Sequence, residues 1–449
     1  MALSYILATA RGWLRDLPVA MSAYRRLPEA IRMGLSSTFA RRMVADLRFP
    51  PLPDPRGDRP PSRTTSRNVD DRADGAGVGV NLFAYFQGRF GLAEAARNYA
   101  DALVGADYPV ALCDVDLDLP HDFGEDRLLA HCADTAPFPV SIIFVNPDYF
   151  DEAVAHIGSD RFEGTYLIGC WFWELERVPD AWLAAVARVD AVMVASEFVA
   201  SAFRRITTKP VFIVPLPLTH RHDSGLVRAD FALRDNSFLF LASFDFNSWI
   251  ERKNPAATIA AFQKAFPGGE NVQLVLKTSN GERHPEALAQ LLVTAGGDSR
   301  ILIRDGAIAG AHLAALQRCC DAYVSLHRAE GFGLGLAECM SIGKPVIATA
   351  WSGNLEFMTS ENSCLVDYRL VPVPDDHYLH TKGQRWAQPD IAQAATFMRT
   401  LYYDRSVART LGERAQRDVA GLLSGSRAAK TMIDWLDARD RASAGALNR

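Results

Sequence analysis

Two hydrophobic patterns alternate along most of this chain. Short apolar runs, typical of buried strands, are separated by longer segments in which apolar residues recur every three or four positions, as in amphipathic helices. Strand-like runs occur first at 78–86, 110–115, 140–145, 165–171, 191–195 and 211–215. A second set follows at 238–244, 272–278, 301–303, 322–326 and 345–348. Alternating strands and helices predict parallel sheets covered by helices on both faces.

Because this pattern occurs twice, the sequence predicts an α/β fold of two Rossmann-like, doubly wound domains that face a cleft. We place the two domains at 77–225 and 226–425, followed by a C-terminal helix and tail at 426–449. Ligands of such sheets bind at the carboxyl ends of the strands, so we expect the functional residues in the loops that line the cleft.

The first 76 residues differ from the rest. Residues 1–48 contain eight arginines interleaved with apolar residues, which predicts a basic, amphipathic helical extension. Such a helix can make a peripheral contact with an anionic membrane surface. It can equally pack on the protein body with its arginines in water, and the pattern favours neither alternative. Residues 49–76 are rich in Pro, Arg, Asp and Ser and predict a flexible, poorly ordered linker.

The composition of the 449 residues excludes several classes of protein. A hydrophobic content of 49% with 22% charged residues is typical of a soluble globular chain, and the net charge of −5 argues against a general nucleic-acid-binding protein. The seven cysteines form no C-x-x-C pair, which fits a reducing cytosol better than a zinc site or a disulfide framework. We therefore expect a cytoplasmic protein, at the inner face of the membrane if residues 1–48 bind there.

Glu330 and Glu338 provide the strongest signal of chemistry. They lie on either side of a glycine-rich turn, between a predicted strand at 322–326 and a predicted helix at 336–342. One carboxylate is thus expected on a strand-to-helix loop and the other about one turn into the helix. A helix N-terminus has unpaired N–H groups and a partial positive charge, which favour a phosphate. Carboxylates bind hydroxyls, so the sequence predicts a site for a sugar linked to a diphosphate.

The stretch from 327 to 349 strongly resembles the donor-binding signature of the retaining glycosyltransferases of family 4, which have the GT-B fold and include bacterial sucrose- and mannosyl-transferring enzymes. The resemblance implies that Glu330 contacts the donor sugar and that Glu338 holds the nucleotide ribose. The turn between them would complete the donor site with Gly331, Phe332, Gly333 and Leu334. The resemblance also implies that backbone groups of loops such as 304–309 hold the base, and that the last helix crosses back onto the first domain.

Lys253 and Arg252 are the predicted cations of this site. They follow the first strand of the second half and precede Pro255, which suits the first turn of a helix. We predict Lys253 at the diphosphate, where an ammonium offsets the charge that grows as the glycosidic bond breaks. A basic helix start without a ligand is the alternative. Many relatives have an arginine about six residues earlier, but Asn247 and Ser248 occupy these positions, so Arg252 would have to complete a two-cation clamp.

Other candidate residues are weaker, and each has a structural alternative. Gly88 and Gly91 lie in a loop that would approach the diphosphate from the first domain, or that simply turns the chain. Lys277 fits the rim of the phosphate site or a structural ion pair. Asn354 fits a contact with the donor sugar or a helix cap.

The acceptor side is predicted from residues at strand ends of the first domain. Trp171 and Trp173 could stack on a sugar ring, and Glu174 could accept hydrogen bonds from its hydroxyls. Core packing is an equally good interpretation for the tryptophans. Asn146, at the end of another strand, would lie nearby.

The function expected from these patterns is a retaining, metal-independent transfer of a hexose, with mannose as the first expectation. Asp114 and Asp116 match a bare D-x-D pattern, but no phosphate-binding loop adjoins them, so we expect neither a metal nor another cofactor. The co-substrate would be a GDP- or UDP-linked sugar, and the acceptor a glycan or lipid-linked oligosaccharide of a cell-surface polysaccharide. A nucleotide-sugar epimerase of the same fold and a non-catalytic, nucleotide-sugar-binding scaffold are the alternatives.

Overall fold

The computed structural model describes residues 6, 9, 45–53, 78–117, 128, 131–132, 135–219 and 222–447, without the side chains of 440 and 442–447. Most of the predicted extension 1–48 and of the linker 49–76 lies outside the described residues. Among the described residues, no helix combines the length and the apolar character that a bilayer crossing requires.

The first domain is a parallel sheet of six strands in the order β2-β1-β3-β4-β5-β6. The strands are β1 Val80–Ala84, β2 Val110–Asp114, β3 Val140–Ile143, β4 Tyr166–Cys170, β5 Ala191–Val194 and β6 Val211–Ile213. Its helices are α1 Gly91–Gly105, α2 Phe150–Ile157, α3 Leu183–Arg188 and α4 Glu197–Arg204. Nearly every residue of β1, β3, β4 and β5 is buried, as expected for strands with helices on both faces.

The second domain repeats this architecture, with six parallel strands in the order β12-β11-β10-β7-β8-β9. The strands are β7 Phe238–Asp245, β8 Val272–Ser279, β9 Ile301–Asp305, β10 Ala322–Ser325, β11 Val346–Thr349 and β12 Cys364–Val366. Its helices are α5 Ile250–Lys253, α6 Pro255–Ala265, α7 Pro285–Ala295, α8 Gly310–Cys319 and α9 Leu334–Ser341. The two doubly wound domains match the predicted fold class.

An antiparallel pair of strands, absent from the sequence prediction, follows the second sheet. These strands are β13 Tyr368–Pro372 and β14 Arg385–Pro389, and we call residues 368–389 the clasp hairpin. Tyr378 and Trp386 of the hairpin are buried in a hydrophobic cluster whose other members come mainly from the first domain. Gln384 donates a hydrogen bond to the carbonyl of Arg177 at 2.6 Å. The hairpin therefore fastens the second domain to the first.

Three helices follow the clasp hairpin: α10 Ile391–Tyr403, α11 Arg405–Leu422 and α12 Gly425–Leu447. The carboxylates of Asp390 and Asp404 cap the first two of them by accepting backbone N–H groups. Helix α12 lies on the first domain, where the ring of Trp435 stacks on Phe212 with centroids 3.8 Å apart. The last helix thus crosses back as the resemblance implies.

Residues 45–53, which we call the strap, pack against the second domain. Leu47 is fully buried, and its carbonyl accepts a hydrogen bond from Asp305 N at 2.9 Å. The ring of Phe49 meets Phe231 edge to face, with centroids 6.1 Å apart. The prediction of a flexible linker is therefore wrong for residues 49–53, because their few apolar side chains find a surface of the second domain to cover.

Candidate active site

Glu330, Lys253 and Arg252, the three predicted catalytic residues, meet in one cluster. Lys253 Nζ lies 2.5 Å from Glu330 Oε1, and Arg252 Nη1 lies 3.3 Å from Glu330 Oε2. Glu330 is 8% exposed and Arg252 only 4%. Burial by itself would raise the pKa of Glu330, but the charges of Lys253 and Arg252 outweigh it and lower that pKa to about 2. Glu330 is therefore a fixed negative charge at neutral pH.

The backbone around α5 is turned sharply at both ends, which brings two consecutive cations to Glu330. Trp249, just before α5, has φ = 63°, and Asn254, just after it, has φ = 52°. Asparagine tolerates this left-handed conformation, whereas a tryptophan adopts it rarely and at an energetic cost. The Asn254 side chain donates to the carbonyl of Leu326 at 2.9 Å and so ties the turn to the loop that contains Glu330.

The glycine-rich turn is held by very close packing. A Cβ added to Gly353 would lie 2.0 Å from the carbonyl oxygen of Gly331, so glycine is required there. Ser352 accepts a hydrogen bond from Glu330 N at 2.8 Å, and Ser196 of the first domain donates to Gly331 O at 2.8 Å. Sequence reasoning missed the positioning roles of both serines. No local pattern marks them, because each acts on a segment far away in the chain.

Helix α9 begins at Leu334, two residues earlier than predicted. Gly333, with φ = 95°, precedes it, and no side chain caps this end. Glu338 lies just beyond the first turn, where it is half-buried and accepts a hydrogen bond from Gln317 Nε2 of α8 at 2.9 Å. Phe332 packs on Phe357, with ring centroids 5.0 Å apart. The turn and the helix start thus have the strand–loop–helix context in which the sequence predicts a phosphate.

Glu174 belongs to this cluster, although the sequence predicts it on the acceptor side. Its Oε1 lies 3.6 Å from Arg252 Nη2, and its Oε2 accepts a 2.6 Å hydrogen bond from Tyr378 of the clasp hairpin. Burial would lower the pKa of Arg252, but the carboxylates of Glu174 and Glu330 raise it. Two cations are thus matched by two carboxylates, one of them from the opposite domain.

The prediction that Trp171 and Trp173 stack on an acceptor sugar is corrected to core packing. Trp171 is fully buried, its Nε1 donates to the carbonyl of Val145 at 2.9 Å, and its ring lies against Phe150 and Phe203. Trp173 is 2% exposed and packs between Trp182 and Tyr378. Both indoles are covered because α2, α4 and the clasp hairpin close over the strand ends.

Asn146 and Asn354 have structural partners instead of open polar groups. Asn146 exchanges two 3.1 Å hydrogen bonds with the backbone of Phe172, which joins the ends of β3 and β4. Asn354 is fully buried; it donates to the carbonyl of Thr349 at 3.0 Å and bonds His327 at 3.2 Å. Its predicted contact with the donor sugar is therefore corrected, because both ends of the amide are used within the second domain.

The remaining predicted residues are Lys277 in the second domain and Gly88 and Gly91 in the first. Lys277 is on β8, where its charge acts on Asp305. Gly88 lies in the loop after β1, and its carbonyl accepts a hydrogen bond from the buried Arg97 at 2.8 Å. Gly91, at the start of α1, has open space where a Cβ would be. This loop fits the turn alternative, since Arg97 braces it from within the first domain.

The described residues contain no group of three or more His, Cys, Asp or Glu side chains that could hold a metal ion. The carboxylate of Asp114 accepts hydrogen bonds from Phe86 N at 2.7 Å and from Gln87 Nε2 at 2.6 Å. The D-x-D pattern thus contributes to the turn that follows β1.

Residues 236–376 match the family described as Glycosyl transferases group 1. The match extends from just before β7 into the clasp hairpin and includes the whole Glu330 cluster except Glu174 and Tyr378. The second domain is a glycosyltransferase domain. No protein with a curated description matches the sequence.

Solved structures extend the likeness of this glycosyltransferase domain to the two-domain architecture. Sucrose-phosphate synthase from Thermosynechococcus elongatus is 18% identical, with a TM-score of 0.58 over 82% of this chain and 100% of that chain. HepE of Anabaena in complex with UDP and glucose is 14% identical, with a TM-score of 0.56 over 80% and 100%. A glycosyltransferase of Rickettsia africae is 12% identical, with a TM-score of 0.56 over 80% and 98%. These similarities show the GT-B fold.

Proposed function

We propose that this protein is a retaining glycosyltransferase that moves a hexose from a nucleoside diphosphate to a glycan or a lipid-linked oligosaccharide of a cell-surface polysaccharide. The observation that carries the proposal is the buried contact of Glu330 with Lys253 and Arg252 beside the start of α9. Mannose is the first expectation for the sugar. Glucose is the second, because HepE, a structural neighbour, was solved with UDP-glucose.

The cluster supports a mechanism in which protein cations assist the leaving diphosphate. The diphosphate would lie at the N-terminus of α9, where backbone N–H groups and the helix dipole favour an anion. Lys253 and Arg252 would stabilise the negative charge that develops as the glycosidic bond breaks. Glu330, held by Ser352, would position the sugar. The leaving phosphate would then help to deprotonate the acceptor on the same face, which gives retention of configuration.

Isothermal titration with a panel of UDP- and GDP-linked hexoses tests the proposal. The wild type is compared with Glu338→Ala and with a matched control, Glu413→Ala, on the exposed side of α11. We expect one donor to bind the wild type and the control, to bind Glu338→Ala at least tenfold more weakly, and to be unaffected by EDTA.

Transfer to a glycan acceptor then separates the enzyme from its alternatives. Binding without turnover supports a nucleotide-sugar-binding scaffold, and conversion of the donor without an acceptor supports an epimerase. Binding that disappears in EDTA contradicts the metal-independent mechanism.

A further inference from the structure

A cavity of about 510 Å³ lies between the strap and the carboxyl ends of β8 and β9. The strap provides one side of it with Arg48, Phe49, Pro50, Leu52 and Pro53. The opposite side consists of the loop 305–309 with Asn280 and His312. This volume is in the usual range for small-molecule pockets. The cavity is lined by residues other than those of the Glu330 cluster, and it requires an explanation of its own.

The two sides of the cavity differ in chemistry. Apart from Arg48, which pairs with Glu282 at 3.8 Å, the strap offers an aromatic ring, an aliphatic side chain and two prolines. The opposite side offers amide, carboxylate and backbone polar groups. A nucleobase has the matching character, since its faces are apolar and stack on apolar or aromatic groups while its edge carries donors and acceptors. The cavity therefore fits a flat heteroaromatic ring better than a sugar.

His312 fixes the strap, and one of its ring nitrogens is buried without a protein partner in the described part of the chain. Its Nε2 lies 2.8 Å from the carbonyl oxygen of Pro53. Because a carbonyl can only accept, Nε2 carries the hydrogen, which makes Nδ1 an acceptor in the neutral ring. His312 is 4% exposed, and its Nδ1 has no hydrogen-bond partner among the described residues. A buried acceptor of this kind is costly unless something bonds to it.

The cavity and the Glu330 cluster lie at the same end of the second sheet, where its strands have their carboxyl ends. Strands β10, β7, β8 and β9 are neighbours and parallel, so their carboxyl ends are in line. Three strand spacings separate β10 from β9, roughly 14 Å. Asn280, which lines the cavity, donates two 2.9 Å hydrogen bonds to Asp245, the residue that caps the turn leading to Arg252. A nucleoside diphosphate sugar would extend along this row of strand ends, with its base in the cavity and its sugar at Glu330.

We propose that the strap forms the outer wall of the pocket for the nucleobase of the donor, and that Phe49 and Leu52 determine which base is accepted. This inference rests on the proposed function and assigns the base specificity of that site to a segment outside both domains. Leu47, through its buried side chain and its hydrogen bond to Asp305, sets the position of this wall.

Binding of UDP, GDP and ADP to three variants tests the proposal. Phe49→Ala and Leu52→Ala alter the wall, whereas Pro51→Ala is the matched control, because Pro51 is exposed on the strap and does not line the cavity. For each protein, the Kd of the second-best nucleotide is divided by the Kd of the best nucleotide. We expect the two wall variants to lower this ratio at least tenfold and the control to change it by less than twofold. A lower Tm with an unchanged ratio would overturn the proposal.

Photolabelling of the wild type gives a result that does not depend on a variant. 5-Azido-UDP and 8-azido-GDP are irradiated with the protein, and the tryptic peptides are mapped by mass spectrometry. Trypsin cleaves after Arg48 and Arg56, so the wall is recovered as the peptide 49–56. We expect label in this peptide, suppressed by excess unlabelled nucleotide. Competable label confined to other peptides would overturn the inference and leave the proposed function intact, whereas no nucleotide binding at all would remove both.

Discussion

The strand ends of the second domain and those of the first domain face each other, but their polar groups are used differently. In the second domain, Glu330 is bound by two cations. In the first domain, Trp171 and Asn146 bond to backbone groups of their own domain. Buried charges of opposite sign contribute little net stability, and ionisable groups with shifted pKa values cluster at functional sites. An indole that donates to a backbone carbonyl is instead typical of a hydrophobic core. The difference supports the proposal that the chemistry lies in the second domain.

Glu174 is the exception, because it comes from the first domain and joins the cluster of the second. It reaches Arg252 together with Tyr378 of the clasp hairpin. The charges of Lys253 and Arg252 are therefore balanced only when the two domains are together. Replacing Glu174 therefore tests how the two domains share the charge balance of the cluster.

Replacing Glu330 should have the largest effect. We expect Glu330→Gln to lower kcat for transfer about 10²–10³-fold, the loss typical of removing one group that stabilises a transition state. The buried cations lose their main partner, so Tm should fall as well. Transfer assays with saturating donor, beside Glu413→Gln as control, measure the effect. A loss below about threefold in a folded variant would move the chemistry away from this cluster.

The acid sensitivity of the cluster follows from the low pKa of Glu330. That pKa is about 2 in the folded protein, against an ordinary value of 4.5. A depressed carboxyl pKa contributes stability that is fully present above pH 4.5 and is lost as the pH falls toward 2. Denaturant unfolding between pH 5 and 2 should therefore show a smaller loss for Glu330→Gln than for the wild type; parallel curves would contradict the assignment.

Replacing Glu174 tests which side of the cleft this carboxylate serves. Glu174→Gln leaves the cluster with one net positive charge, so we expect a nucleoside diphosphate to bind up to about tenfold more tightly, the equivalent of 1.4 kcal/mol, with no change in the KM of the acceptor. Glu176→Gln is the control, because Glu176 is in the same loop and pairs with Arg385 instead. A higher acceptor KM with an unchanged nucleotide Kd would return Glu174 to the acceptor side.

The features that could be predicted from the sequence are those that local pattern encodes. Both parallel sheets follow from apolar runs of strand length, and the position of Glu330 follows from a strand, a glycine turn and a helix in succession. Strand β12, Cys364–Val366, was missed because no α-helix of the described residues separates it from β11, so the alternation of strands and helices does not mark it. The clasp hairpin is stabilised mainly by Tyr378 and Trp386 against the other domain, a contact that no local window contains. The prolines of the strap led to the prediction of a linker, although Leu47 and Phe49 anchor the strap to the second domain.

Replacing Trp171 should have the smallest effect on activity. The test is informative because the sequence does not show whether a tryptophan ring at a strand end is open to the cleft or buried. Because the Trp171 ring is buried against Phe150 and Phe203, Trp171→Phe removes packing and the hydrogen bond to Val145. We expect a loss of about 1–3 kcal/mol in the free energy of unfolding, with the acceptor KM within twofold of the wild type. If the acceptor KM rises tenfold while stability is unchanged, the ring stacks on sugar, and helix α2 or α4 must move away when the acceptor binds.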